Sequence, residues 1–116
     1  MGFPERLTSL MAEVEGARGA ALVGLDGIPI ESTPSGLDMV SLAAEYAAVL
    51  GDAKRASREL KMGETRALSI LTDRMNLFLS LLKSECFLAL TVQNRGNWGR
   101  ARYKVKGHSR KLEEEM

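Results

Sequence analysis

The stretch from Leu37 to Lys61 constrains this chain most, because it reads as one long helix with more apolar surface than a single core covers. At about 100° per residue, Leu42, Tyr46, Val49, Ala53, Ala56 and Leu60 form a stripe with spacing 4-3-4-3-4, a heptad-like seam. A second set, Val40, Ala43, Ala44, Ala47, Ala48 and Gly51, falls on the other side. In the first half the clearly polar residues are Asp38, Ser41, Glu45 and Asp52, and they share one narrow sector. A surface helix on a small domain normally buries one stripe and wets the rest. This one needs cover from two sides: its own sheet, and a protein partner on the other. Beyond Ala53 the character turns basic, with Lys54, Arg55, Arg58 and Lys61 against Glu59.

At 116 residues the chain is expected to form one domain, residues 1–116. A core built from so short a chain is modest, and a core shared between two copies would add to it. Net charge is +1, so the chain as a whole carries no strong electrostatic instruction. Its one cysteine, Cys86, cannot form an internal disulfide, which points to a reducing compartment and a cytoplasmic location. No apolar run reaches the length of a membrane span. Met1–Arg6 lacks the basic-then-apolar pattern of a signal peptide, and Gly2 is not followed by the Ser or Thr that a myristoylation signal requires.

Pro4 suits a helix start, where its missing N–H costs nothing; Leu7, Leu10, Met11 and Val14 follow at helical spacing, and Gly16 ends the helix. Ala20–Gly24 reads as a short buried strand, Asp26-Gly27 as a hairpin turn, and Ile28–Glu31 as the returning strand. Pro29 removes a ladder donor, which places that strand at a sheet edge. Thr33–Gly36 is a loop before the long helix. Three strand-like runs follow, Thr65–Thr72, Asn76–Leu82 and Cys86–Gln93, with separations short enough to force an antiparallel meander. The middle run is apolar on both faces and should be central or covered twice. After a turn at Asn94–Asn97, a last helix starts near Trp98, with Trp98, Ala101, Val105 and Leu112 on one side and Gly107 weakening it by about 1 kcal/mol. A hairpin and a meander joined by a long helix make an α+β domain: a five-stranded antiparallel sheet with helices on its faces.

Chemistry is poorly provided for. His108 is the single histidine and lies in a basic helix, so it should face solvent; no second histidine or paired cysteine accompanies it to hold zinc. Cys86 sits in an apolar run and reads as a packed thiol rather than a nucleophile. Glu13 and Glu15 stand two apart on a helix and cannot share a face. Gly16, Gly19 and Gly24 lack the spacing and the following Lys-Ser/Thr of a phosphate loop. No catalytic residue, cofactor or metal is expected.

The segment Arg95, Arg100, Arg102, Lys104, Lys106, Arg110 and Lys111 meets no acid before Glu113, and Trp98 and Tyr103 interleave with it. Such a pattern can hold RNA or an anionic membrane. The plainer reading is a solvated helix face with Trp98 packed into the sheet and Glu113–Glu115 balancing the charge, and nucleic acid is not an expected partner.

With these elements in order, the chain resembles the Roadblock family, which includes the dynein light chain of that name, and is most similar to the bacterial MglB-like members. The resemblance rests on Gly19-Ala20-Ala21-Leu22-Val23-Gly24-Leu25-Asp26-Gly27-Ile28, on the helix from Leu37, on Phe87-Leu88-Ala89-Leu90-Thr91-Val92, and on Asn97–Tyr103 as the start of the last helix. It is carried by order and spacing rather than by one motif, and it covers nearly the whole chain.

The resemblance implies a profilin-like sandwich that homodimerises. The long helices would pair, and the strands after them, here Thr65–Thr72, would join into one sheet. Leu42, Tyr46 and Leu60 would then lie at the seam, with Arg66, Leu68 and Ile70 on the joining strand. It also implies a partner, a small Ras-like GTPase docked on the paired helices. MglB-like proteins act as GTPase-activating partners by repositioning groups of the GTPase, without a catalytic arginine of their own. Glu45, Val49, Asp52, Ala53 and Ala56 flank the polar sector and are the expected docking residues. Val40, Ala43, Ala47 and Leu50 are expected to face the sheet. The rivals are a dimeric scaffold with no effect on turnover, a nucleic-acid or anionic-membrane binder using Arg95–Lys111, and, last, an enzyme with Cys86 as nucleophile.

Overall fold

A computed structural model describes residues 2–34, 37–83, 85–93 and 98–116. The chain runs α1 (Phe3–Glu13), β1 (Ala17–Gly24), β2 (Pro29–Thr33), α2 (Leu37–Glu59), β3 (Ala67–Leu71), β4 (Met75–Leu82), β5 (Cys86–Gln93) and α3 (Trp98–Glu115). All neighbouring strands are antiparallel, in the order β2-β1-β5-β4-β3. The α+β architecture read from the sequence is the observed one.

Local chemistry fixes the ends of these elements. Pro4 lies in the first turn of α1, and the Arg6 amide donates to Gly2 O. The β1–β2 turn is closed by Gly27 N to Gly24 O, with Asp26 Oδ1 accepting from the Ile28 amide. Gly27 has φ +89°, a conformation that side chains resist. Pro29 stands on β2, an edge strand, where its missing donor breaks no ladder. β1 begins three residues earlier than expected, at Ala17, because the chain is already paired with β5 across an irregularity between Ala17 and Gly19.

The long helix stops at Glu59, two residues before the expected end. Met62 N reaches back to Ser57 O and Lys61 N to Arg58 O, with Lys61 at φ 57°. That is a Schellman closure with lysine in the left-handed position usually held by glycine.

The sheet carries cover on both faces. On one, Leu22, Phe78, Leu88 and Leu90 pack with Leu7 and Leu10 of α1 and Val105 and Leu112 of α3. On the other, Val23, Leu77, Leu79 and Phe87 pack with Ala43, Ala47 and Leu50 of α2. β4 therefore contributes to both cores, as its doubly apolar sequence requires. The small side chains of α2 allow the β1–β2 turn to come close: a Cβ added at Gly27 would stand 3.3 Å from Ala44 Cα.

Candidate functional site

The buried stripe of α2 is Met39, Ala43, Ala47 and Leu50. Ala43, Ala47 and Leu50 face the sheet as expected; Val40 does not, and is 49% exposed. The helix is rotated so that Met39 takes the position assigned to Val40. Alanines on both sides gave the sequence little contrast for fixing that rotation.

On one flank of this stripe, Leu42 and Tyr46 are half-buried against the second core. They share it with Leu68 and Ile70 of β3 and with Leu81 of β4, all half-buried as well. The register explains the company: Leu68 stands opposite Leu79 and Ile70 opposite Leu77, so their side chains emerge on the α2 face of the sheet. Arg66 precedes β3 and its carbonyl accepts from the Leu81 amide. β3 is the last strand of the sheet. Its outer backbone row is a ready template for a further strand. Leu60 lies beyond the helix end and is 71% exposed.

Glu45, Val49, Asp52 and Ala56 are exposed on α2, and Ala53 is half-buried. Asp52 lies 3.7 Å from Arg55, which also approaches Glu59 at 3.4 Å, so the polar part of this surface is ion-paired along the helix. Near the end of α2, Arg58 makes two 2.9 Å hydrogen bonds to Glu64, and that guanidinium holds the Glu64 carboxyl below its ordinary range.

Two expectations about α3 are corrected. His108 is 5% exposed rather than solvent-facing, because it sits on the side of α3 that packs toward α1, where its Nε2 meets the Glu13 carboxylate. That hydrogen bond, and to a lesser degree the nearby charges of His108 and Lys104, lower the Glu13 pKa. Trp98 is half-exposed rather than packed into the sheet, and Arg102 stacks over its ring at 5.7 Å. Ala101, Val105 and Leu112 are buried as expected. The expected turn at Asn94–Asn97, and Arg95 with it, lies outside the described residues.

Cys86 is buried at the start of β5. Among the described residues, no three His, Cys, Asp or Glu side chains gather as a metal site, and no helix is long and apolar enough to cross a membrane. The surfaces that stand out are therefore a half-exposed apolar flank at the α2–β3 edge and the exposed back of α2.

The sequence matches the model of the Roadblock/LC7 domain over residues 4–93. A comparison with curated protein sequences finds no significant match. Among solved structures, the fold is similar to a Roadblock/LC7 domain from Streptomyces avermitilis, with TM-score 0.88, 18% identity and coverage of 97% of this chain and 95% of that one. It is similar to Myxococcus xanthus MglB, with TM-score 0.84, 20% identity and coverage of 98% and 96%. Myxococcus xanthus MglC is matched over 100% of both chains, with TM-score 0.70 and 28% identity. The same layering extends to Acanthamoeba castellanii profilin II, with TM-score 0.66 and 17% identity over 98% of each chain, so the sandwich is profilin-like. Matched by the family model over most of its length, the chain belongs to the Roadblock/LC7 domain family.

Proposed function

We propose that this protein is a homodimeric regulator of a small Ras-like GTPase. The observation that carries the proposal is the flank formed by Leu42, Tyr46, Leu68 and Ile70 beside the edge strand β3. Half-buried apolar groups next to an open strand edge suit a second copy of the chain, which would extend the sheet and cover α2 from the side. Arg66 and Leu60 would lie at the rim of that interface.

The GTPase docks on what the dimer leaves open: Glu45, Val49, Asp52, Ala53 and Ala56. The protein supplies no nucleophile, base or metal. It acts by holding the GTPase's switch loops and attacking water in the reactive arrangement, a shift in population rather than added chemistry. The lone buried thiol of Cys86 suits residence in the cytoplasm.

The test is GTP hydrolysis by the candidate GTPase with and without this protein, run alongside co-elution in the GTP-bound state. Faster turnover that is lost in Val49→Arg supports an activating partner. Co-elution with unchanged turnover would make the protein a scaffold, and neither effect would remove the GTPase from the proposal.

A further inference from the structure

On the face opposite α2, a groove of about 740 Å³ runs between α3 and the β3–β4 end of the sheet. One wall is a rank of cations, Arg102, Lys106 and Arg110, at i, i+4 and i+8 on α3. Arg66 and Lys83 stand on the sheet side. Glu113 is the single carboxylate among the lining residues. None of these five cations is ion-paired among the described residues, whereas Lys104, two residues from Arg102 and Lys106 and so on another side of the helix, approaches Glu13 at 3.8 Å. The floor is apolar, with Phe78 and Val105, and is interrupted by Ser109. Ser109 is 4% exposed, and its Oγ has no hydrogen-bond partner among the described residues. Buried hydroxyls are normally satisfied, and like charges gathered round one concavity repel one another. Both features are relieved by an anionic occupant.

The spacing selects the kind of anion. Residues four apart on a helix are about 6 Å apart along its axis, and alternate residues of an extended chain are about 6.7 Å apart. A rank of three cations therefore matches three acidic side chains at alternate positions of a strand, whose intervening side chains turn toward the apolar floor. A lone phosphate needs donors converging on one point, and a bilayer surface is flat where this site is concave. We propose that the groove binds an extended segment of a partner protein in which acidic and apolar residues alternate. The site lies on the opposite face of the sheet from α2, so the inference does not depend on the GTPase; Arg66 is the cation it shares with the rim of the proposed dimer interface.

The probe is a fluorescently labelled peptide, Glu-Leu-Glu-Phe-Glu-Val-Glu, titrated with the full chain and followed by anisotropy. Saturable binding is expected. It should weaken at least about tenfold when the four glutamates become glutamines, and by a similar factor in the double variant Lys106→Glu/Arg110→Glu. Lys111→Glu, an exposed cation on α3 outside the groove, should change it less than about twofold. Lys83→Glu on the sheet side gives an independent loss if the double variant does not fold by circular dichroism. Equal losses in Lys111→Glu and the groove variants would reduce the effect to general charge and overturn the proposal. So would absence of binding, full displacement by inorganic phosphate, or tighter binding of phosphatidylserine vesicles or oligothymidylate than of the peptide.

Discussion

His108 Nε2 meets the Glu13 carboxylate, and this contact fastens α3 to the C-terminal end of α1. Arg6 of α1 and Glu115 of α3 form a second tie between the same helices, and both carboxyls are held below their ordinary range. A carboxyl whose pKa is lowered by folding stabilises the native state above its unfolded value, and that stabilisation fades as pH falls through the lowered folded value.

For Glu13 the ordinary value is 4.5, so its contribution is complete at neutral pH and drains away below that point. Glu13→Gln should therefore be less stable than the parent at neutral pH, and the difference should shrink below about pH 4. Urea midpoints of both proteins across that range check this. A gap that stays constant with pH would mean that the Glu13 charge is not what matters.

Lys61 closes α2 with φ 57°, where a Cβ is unfavourable. Lys61→Gly should raise stability by about 1 kcal/mol, since the glycine takes up the same Schellman geometry without the steric cost. Thermal unfolding measures it. No gain would show that the greater freedom of glycine in the unfolded chain offsets the relief.

Leu50 is fully buried under α2 while Val40 lies half outside. Leu50→Ala should cost about 2–5 kcal/mol through lost burial and the cavity left behind, and Val40→Ala within about 0.5 kcal/mol of nothing. Denaturant titration of the pair tests the helix rotation directly, because the sequence-based assignment would have made both costly.

Ile70 is half-buried on the β3 edge. Ile70→Lys should turn the proposed dimer into a folded monomer, read by sedimentation with circular dichroism as the folding control. A parent protein that is monomeric at high concentration would end the dimer proposal.

The layers of this fold were legible wherever the signal was local. Asp26-Gly27 set the hairpin, Pro29 set the edge, and the doubly apolar run around Leu77–Leu82 set the strand that serves both cores. Relations between distant segments were not legible. Nothing near His108 in sequence announces a partner 95 residues away on α1, so its burial could not be read from its basic surroundings. Trp98 matches core by helical spacing, yet it is the first residue of α3 and stays half-exposed, with Arg102 over its ring. The basic rank on α3 was visible as composition. That Arg66 and Lys83 come to face it depends on the β3–β4 pairing, which only the fold supplies.

The β1–β5 seam has a kinetic consequence. The hairpin β1–β2 and the meander β3–β4–β5 each close over short turns, but Ala21 must find Ala89 across most of the chain to join them. Loop-closure entropy weighs on that pairing, and long-range pairing of this kind slows folding relative to local contacts. These two strands are also the ones sandwiched between both helical layers, so neither core is complete until β1 and β5 have met.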